Sequence, residues 1–291
     1  MQSILVTGGT GTLGRHVVAQ LRDAGRQVRV LSRHGPKDGI GNKEGIEYVV
    51  GDLATGTGIE AAVDGAEIII HCAGGAKGDG DKAINLVRAA TRAGGVRHLV
   101  YISVVGADKV PVVSGVDRAM FGYFASKLAA ERAVADSGLP WTTLRATQFY
   151  DSLLLVARQV AKLPVIPLPS GFRYQPIDPS EVAARLTVLA LGAPSGLAPD
   201  IAGPKVYQMD ELLGEYLRAS HKRRLIIPVW LPGKAARAVR SGVVLSPNRA
   251  VGRRTWEEFL AERIGSPGNS ASSRPAQPSE SSEQRHALNQ H

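Results

Sequence analysis

From Met1 to about Ile102, short and uniformly apolar runs alternate with longer amphipathic stretches. They read SILVT, Thr12 to Ala24, QVRVLS, IEYVV, AEIIIHC, Asp81 to Ala93 and RHLVYIS. A strand with one wet face alternates polar and apolar residues, and these runs do not. They therefore predict central parallel strands covered by helices on both faces, the α/β doubly wound (Rossmann) parallel sheet. The pattern continues as a helix from about Gly115 to Ser137, ended by Gly138 and Pro140, and a further strand, WTTLRA. Beyond Phe149 the rhythm loosens. Pro164, Pro167, Pro169 and Gly171 mark a looped crossing, Glu181 to Leu191 reads as a helix opened by Asp178-Pro179, and DIAGP reads as a short strand. Residues 1–265 are expected to form one domain in which 150–175 and 203–264 interleave as a small substrate-side lobe. Residues 266–291 carry almost no large apolar side chains, so they are expected to be a disordered tail.

Composition narrows the class. With 44% hydrophobic and 21% charged residues among 291, disorder throughout the chain is excluded. The single cysteine, Cys72, excludes a disulfide framework and any cysteine-built zinc site, and fits a reducing compartment. The seven histidines (16, 34, 71, 98, 221, 286, 291) include no pair at HxxxH or HxH spacing, so no metal is expected. Met1 passes directly into an apolar run without the basic start of a secretory signal, and no apolar stretch approaches the roughly 20 residues that span a bilayer. A cytoplasmic location without membrane association is the expectation. The net charge of +9 allows an anionic partner but does not choose one.

The strand QSILVT runs into Gly8-Gly9-Thr10-Gly11-Thr12-Leu13-Gly14 and then into an amphipathic helix. The three glycines, at positions 8, 11 and 14, provide a tight turn, close backbone approach to a pyrophosphate, and close helix-strand packing. The helix N-terminus points at the anion. The absence of GK[ST] excludes a P-loop NTPase. At the end of the second strand an acid would hold the ribose 2′-hydroxyl of NAD(H), whereas an arginine accommodates the 2′-phosphate of NADP(H). The chain has Arg33 there, with Lys37 nearby and no acid before Asp38, so NADP(H) is expected ahead of NAD(H). Asp52, followed by Leu53 after the third strand, is positioned for the adenine amino group or for a turn. Ala73 and Gly74 put small residues where a nicotinamide ribose passes.

Tyr123 and Lys127, four apart, fall on one face of the long helix. An ammonium beside a phenol favours phenolate and lowers the phenol's pKa. Ser103 closes its strand at the carboxyl end of the sheet, where it can orient a carbonyl while Tyr123 supplies a proton. The competing possibility is that Lys127 forms only a surface pair with Glu131.

Together these residues resemble the short-chain dehydrogenase/reductase superfamily, and within it the atypical, NmrA-like branch. The resemblance rests on TGGTGTLG at 7–14, GDL at 51–53, HLVYISVVGAD at 98–108, the YFASK–LRATQF segment at 123–149 and TWEEFLAERIG at 255–265. It implies a catalytic set of Ser103, Tyr123 and Lys127, with Lys127 also holding the nicotinamide ribose. The implied activity is an NADP(H)-dependent oxidoreductase passing hydride to a carbonyl or quinone-like acceptor. Relatives in the branch also include catalytically silent NADP(H)-sensing regulators and nucleotide-sugar epimerases. Where the branch usually has Asp-Val-Ala, this chain has Glu181-Val182-Ala183, and the acid is expected to keep its helix-start role. The substrate is expected around Gln148, Phe149, Tyr150, Phe172 and Trp230. Seven Lys or Arg between Arg218 and Arg240, with no acid among them, read as a solvated face or the mouth of an anion site rather than a nucleic-acid surface.

Overall fold

The computed structural model describes residues 3–35, 45–75 and 78–264. Lys37, Asp38 and the tail at 266–291 lie outside the described residues. Along the chain run β1 (Ile4–Thr7), α1 (Gly14–Asp23), β2 (Val28–Ser32), β3 (Ile46–Val50), α2 (Ile59–Val63), β4 (Ile68–His71) and α3 (Asp79–Ala93). They are followed by β5 (His98–Val104), α4 (Gly115–Ala135), β6 (Trp141–Ala146), α5 (Tyr150–Val160), β7 (Val165–Pro169), β8 (Arg173–Tyr174) and α6 (Pro179–Leu191). The last elements are β9 (Gly196–Leu197), β10 (Tyr207–Gln208), α7 (Met209–Ala219), β11 (Leu225–Val229), α8 (Lys234–Arg240) and α9 (Trp256–Ile264).

The main sheet has seven parallel strands in the order β3-β2-β1-β4-β5-β6-β9. This is the expected doubly wound sheet. Its central strands are apolar throughout because every residue of β1, β4 and β5 is buried. Val17, Val18 and Leu21 of α1 and Val182 and Leu186 of α6 cover one face. Ile59 and Val63 of α2, Leu86 and Ala90 of α3, and Ala130 and Val134 of α4 cover the other. The strand order reverses between β1 and β4, and the crevice at their carboxyl ends is where this architecture takes ligands.

The local boundaries follow from capping. At the start of α4, the Ser114 side chain accepts from Asp117 N and the Asp117 carboxylate accepts from Ser114 N, a complete capping box. At α6 the cap is Asp178, whose Oδ1 accepts from Ser180 N at 2.8 Å. Glu181 is the acid of the first turn of α6, as expected, and it also accepts from Arg253 N at 2.7 Å, tying α6 to the lobe. DIAGP does not form a strand. Ile201 and Ala202 make isolated bridges to Ala146 and Ala250, and Gly196–Leu197 is the seventh strand.

Segments 165–174 and 207–229 pair as β7 with β11 and β8 with β10. Beneath them Tyr150 stacks on Phe259 with centroids 5.2 Å apart, and Trp256 stacks on Phe259 at 5.6 Å. One polar device locks α4 to the sheet. Arg145 of β6 donates from Nε to Glu131 Oε1 at 2.9 Å and from Nη2 to Oε2 at 2.7 Å, and from Nη1 to Asp108 at 3.0 Å. Removing one partner of a buried pair leaves an uncompensated charge. Arg145→Met is therefore expected to lower unfolding stability by about 3 kcal/mol. Urea denaturation checks this, and an unchanged midpoint would refute it.

Candidate active site

The glycine loop folds back on itself at the carboxyl end of β1. Gly8 sits at φ +70°, and a Cβ there would lie 2.7 Å from the Ala73 backbone, so the β1 and β4 loops can touch only through glycine. A Cβ on Gly14 would lie 2.1 Å from Gly8 O, which fixes the start of α1 against the turn. Leu13 occupies the N-cap position and no side chain caps α1, nor is there an acid in its first turn. The result is a helix N-terminus facing a glycine cradle, a fit for a pyrophosphate. Arg33 lies exposed at the end of β2. Asp52 Oδ1 accepts from Ala54 N at 2.9 Å, so this carboxylate forms the turn after β3. The Leu53 side chain is buried in the core and its carbonyl accepts from Asn85 Nδ2 at 2.8 Å.

Lys127 lies under the loop after β4. Its side chain is 5% exposed, and Nζ donates to Ile102 O at 3.2 Å and pairs with Asp79 Oδ2 at 3.1 Å. A Cβ on Gly74 would meet this Nζ at 3.0 Å, so the loop passes directly over the ammonium. The surface pair with Glu131 does not form, because Glu131 is taken by Arg145. Burial pushes the Lys127 amine below its ordinary range, and Asp79 pulls it back up.

Tyr123 stands one turn before Lys127 on α4, with Nζ 5.8 Å from its ring centroid and the residue 38% exposed. Its pKa moves opposite to the expected lowering. Withdrawal of the phenol from water raises it, and the negative charge of Asp79 raises it further. Ser103 is buried at the end of β5 and its Oγ has no hydrogen-bond partner in the protein. A buried hydroxyl left open in this way is available to a ligand oxygen.

Asp79 is not among the residues expected from the sequence. It occupies the first position of α3 on the stripe that also carries Ala83, Leu86 and Ala90, all buried. An acid on the apolar stripe of a helix requires a buried cation, and that is the signal that could have found it. Its Oδ1 accepts from Gly75 N at 2.9 Å and pairs with Lys82 at 3.2 Å, while its backbone N–H donates to Ser126 Oγ at 2.9 Å. His71, at the end of β4, lies below the same loop. Its Nδ1 shares a 2.7 Å hydrogen bond with Thr7 Oγ1, and its ring stacks on Tyr101 at 5.3 Å.

The expected substrate residues separate. Gln148 bridges two segments of the lobe, with Nε2 donating to Val244 O and Oε1 accepting from Gln175 N. Phe149 pairs its backbone with Ile177. Tyr150 is fully buried, and its hydroxyl donates to Arg254 O at 2.5 Å; this corrects its assignment to the substrate site, since the aromatic stack below the lobe holds it. Phe172 is also buried, whereas Trp230 is 67% exposed with the Arg240 guanidinium stacked on it at 3.8 Å. Several basic residues of the 218–240 stretch are engaged with partners of their own. Arg224 donates to Ala161 O, Arg218 pairs with Glu215, and Lys222 lies over Tyr216.

The glycine cradle, the reversal of strand order and the buried lysine define a dinucleotide-binding protein of the Rossmann type. The chain belongs to the NAD(P)H-binding family, whose model matches residues 8–162. It is 30% identical over 224 residues to (4-alkanoyl-5-oxo-2,5-dihydrofuran-3-yl)methyl phosphate reductase of Streptomyces griseus, a match covering 74% of this chain and 75% of that one. It is 32% identical over 196 residues to ceramide reductase of Caulobacter vibrioides, covering 63% of this chain and 59% of that relative, less than two thirds of its length. The crystal structure of an NADPH-dependent quinone oxidoreductase from Escherichia coli, complexed with NADPH, matches with a TM-score of 0.74. That match is 20% identical and covers 90% of this chain and all of the other, a likeness of fold. Among the described residues, no helix is long and apolar enough to cross a membrane and no His, Cys, Asp or Glu cluster could hold a metal ion.

Proposed function

We propose that this chain is an NADPH-dependent reductase of the NmrA-like branch of the short-chain dehydrogenases, acting on a carbonyl or quinone-like small molecule. The observation that carries this reading is Lys127, buried directly beneath Gly74 with Tyr123 one helical turn away. The bound nicotinamide supplies the hydride. Gly8, Thr10, Gly11, Thr12, Leu13 and Gly14 hold the pyrophosphate against the α1 N-terminus, Arg33 faces the 2′-phosphate, and Ala73 and Gly74 leave room for the ribose above Lys127. Asp52 shapes the adenine end through its turn, and Leu53 supports it from the core. Ser103 Oγ donates to the acceptor oxygen and Tyr123 Oη delivers the proton, while Lys127 holds the ribose and stabilises the phenol as its proton leaves.

The approach to Tyr123 supports an apolar acceptor. Val116, Met120, Tyr123 and Lys127 succeed one another at helical spacing on α4, and the first three are 69%, 50% and 38% exposed. A substrate reaching the phenol slides along hydrocarbon.

The test is substrate-dependent NADPH oxidation across a panel of carbonyls and quinones, together with cofactor titration by fluorescence. Tighter binding of NADPH than NADH is expected. Arg33→Ala should reduce that preference about tenfold or more, the scale of charge-assisted hydrogen bonds to a phosphate. Equal affinities for the two cofactors in the wild type would overturn the NADPH assignment.

A further inference from the structure

We propose that Asp79 is a positioning residue that keeps Lys127 charged within the protein interior and, by gripping Gly75 at the same time, couples that charge to the loop over the nicotinamide site. The inference deepens the reading above, since it gives the candidate lysine its counter-ion and its link to the cofactor loop.

The geometry is specific. The Asp79 side chain is 1% exposed and that of Lys127 is 5% exposed, so both charges are withdrawn from water. The two carboxylate oxygens divide their work: Oδ2 meets Lys127 Nζ at 3.1 Å, and Oδ1 accepts from Gly75 N at 2.9 Å and from Lys82 Nζ at 3.2 Å. Asp79 itself is held by its backbone N–H, which donates to Ser126 Oγ on α4, the residue preceding Lys127. The carboxylate thus joins the loop after β4, the start of α3 and the face of α4 that carries the lysine.

Every other group facing Lys127 is a weaker partner. From α3 comes Lys82, a like charge that disfavours the ammonium. From the end of β4 comes His71, neutral and bonded to Thr7, and from the residue after it the Cys72 thiol, pushed up to about 12 by burial. From β5 comes the Tyr101 ring, with Nζ 5.1 Å from its centroid, and the Ile102 carbonyl. On α4 itself Tyr123 offers its ring, and Glu131 is taken by Arg145. Asp79 is therefore the only carboxylate within ion-pair distance of Lys127 among the described residues. Burial alone disfavours a cation, so without Asp79 the amine sheds its proton at lower pH.

The experiment uses full-length protein with lysine labelled with ¹³C at Cε, the Lys127 signal being assigned by its loss in Lys127→Arg. In the wild type the signal should titrate below the ordinary 10.5. In Asp79→Asn the midpoint should fall by at least a further unit, and in Asp79→Glu it should return toward wild type. NADPH titration across pH supplies the second arm: affinity of Asp79→Asn should drop as pH rises through the new midpoint, while the wild type holds. If Asp79→Asn folds poorly at neutral pH, it should recover as pH rises. An amine whose folded-state pKa is lowered destabilises the fold while protonated, and this is relieved as pH climbs toward the unfolded value. An Asp79→Asn protein whose Lys127 titrates as in the wild type, or whose folding defect is indifferent to pH, overturns the proposal. The carbon titration needs no cofactor, so a failure of the NADPH reading shows instead as normal lysine shifts on mutation with no NADPH binding by any variant.

Discussion

Tyr123→Phe is expected to lower turnover about 10²-fold or more, the scale of losing a general acid, while melting temperature and NADPH affinity stay near wild type. The phenylalanine keeps the ring and its edge contact with Phe124, whose centroid lies 5.8 Å away, and removes only the hydroxyl. The raised pKa has a consequence for the mechanism. A phenol held above its ordinary 10 is fully protonated at neutral pH, which is the state a proton donor must begin in. As the acceptor oxygen gains negative charge, the phenol gives up its proton next to the Lys127 ammonium, so the cation acts on the developing phenolate rather than on the resting phenol. If the chain is instead a regulatory sensor, Tyr123→Phe changes nothing measurable and no acceptor consumes NADPH. Steady-state NADPH oxidation at saturating cofactor separates the two, and an active wild type whose turnover survives the substitution would falsify the proton-donor role.

The central sheet was legible because burial on both faces leaves the same trace in β1, β4 and β5. Val6, Ile70 and Val100 lie on parallel neighbours, and their strands read as largely apolar runs without alternation. The glycine loop was legible for a different reason: Gly8 and Gly14 approach backbone so closely that no other residue fits, and such positions are visible in a single sequence. That Tyr123 and Lys127 share one face of α4 followed from their spacing. What spacing could not supply was their electrostatics. The partner of Lys127 comes from a helix 48 residues earlier, so the competing possibility of a pair with nearby Glu131 gave way to Asp79, while Glu131 was claimed by Arg145 from the next strand. The lobe was the least readable part. Tyr150 looks like a pocket residue because it follows Gln148 and Phe149 at the carboxyl end of β6, yet its partners Trp256 and Phe259 lie more than a hundred residues on. The short pairs β7–β11 and β8–β10 that bring them together have no local periodicity to reveal them.

Acid is expected to destabilise this protein through His71, by an amount on the order of 5 kcal/mol between pH 6.5 and 3, at about 1.4 kcal/mol per pH unit. His71 is fully buried, and burial followed by the charge of Lys127 lowers its pKa to about 3. In the unfolded chain it titrates near 6.5, so between these values the unfolded state binds one more proton than the native state. Stability contributed by the neutral imidazole is thus fully present above pH 6.5 and is lost as pH falls toward 3. The native environment leaves little room for the charged ring. Thr7 Oγ1 already occupies Nδ1 at 2.7 Å, Tyr101 is stacked on its face, and Lys127 and Asp79 stand nearby as a pair whose cation repels it. Protonation would add a further cation beside Lys127 and Lys82, with Asp79 as the carboxylate paired to both. Two measurements check this. The imidazole ¹⁵N signals of His71 should remain those of a neutral ring down to about pH 4, and unfolding at pH 5 should take up one proton fewer in His71→Gln than in the wild type. A His71 that titrates near pH 6.5 in the folded protein would remove the acid sensitivity.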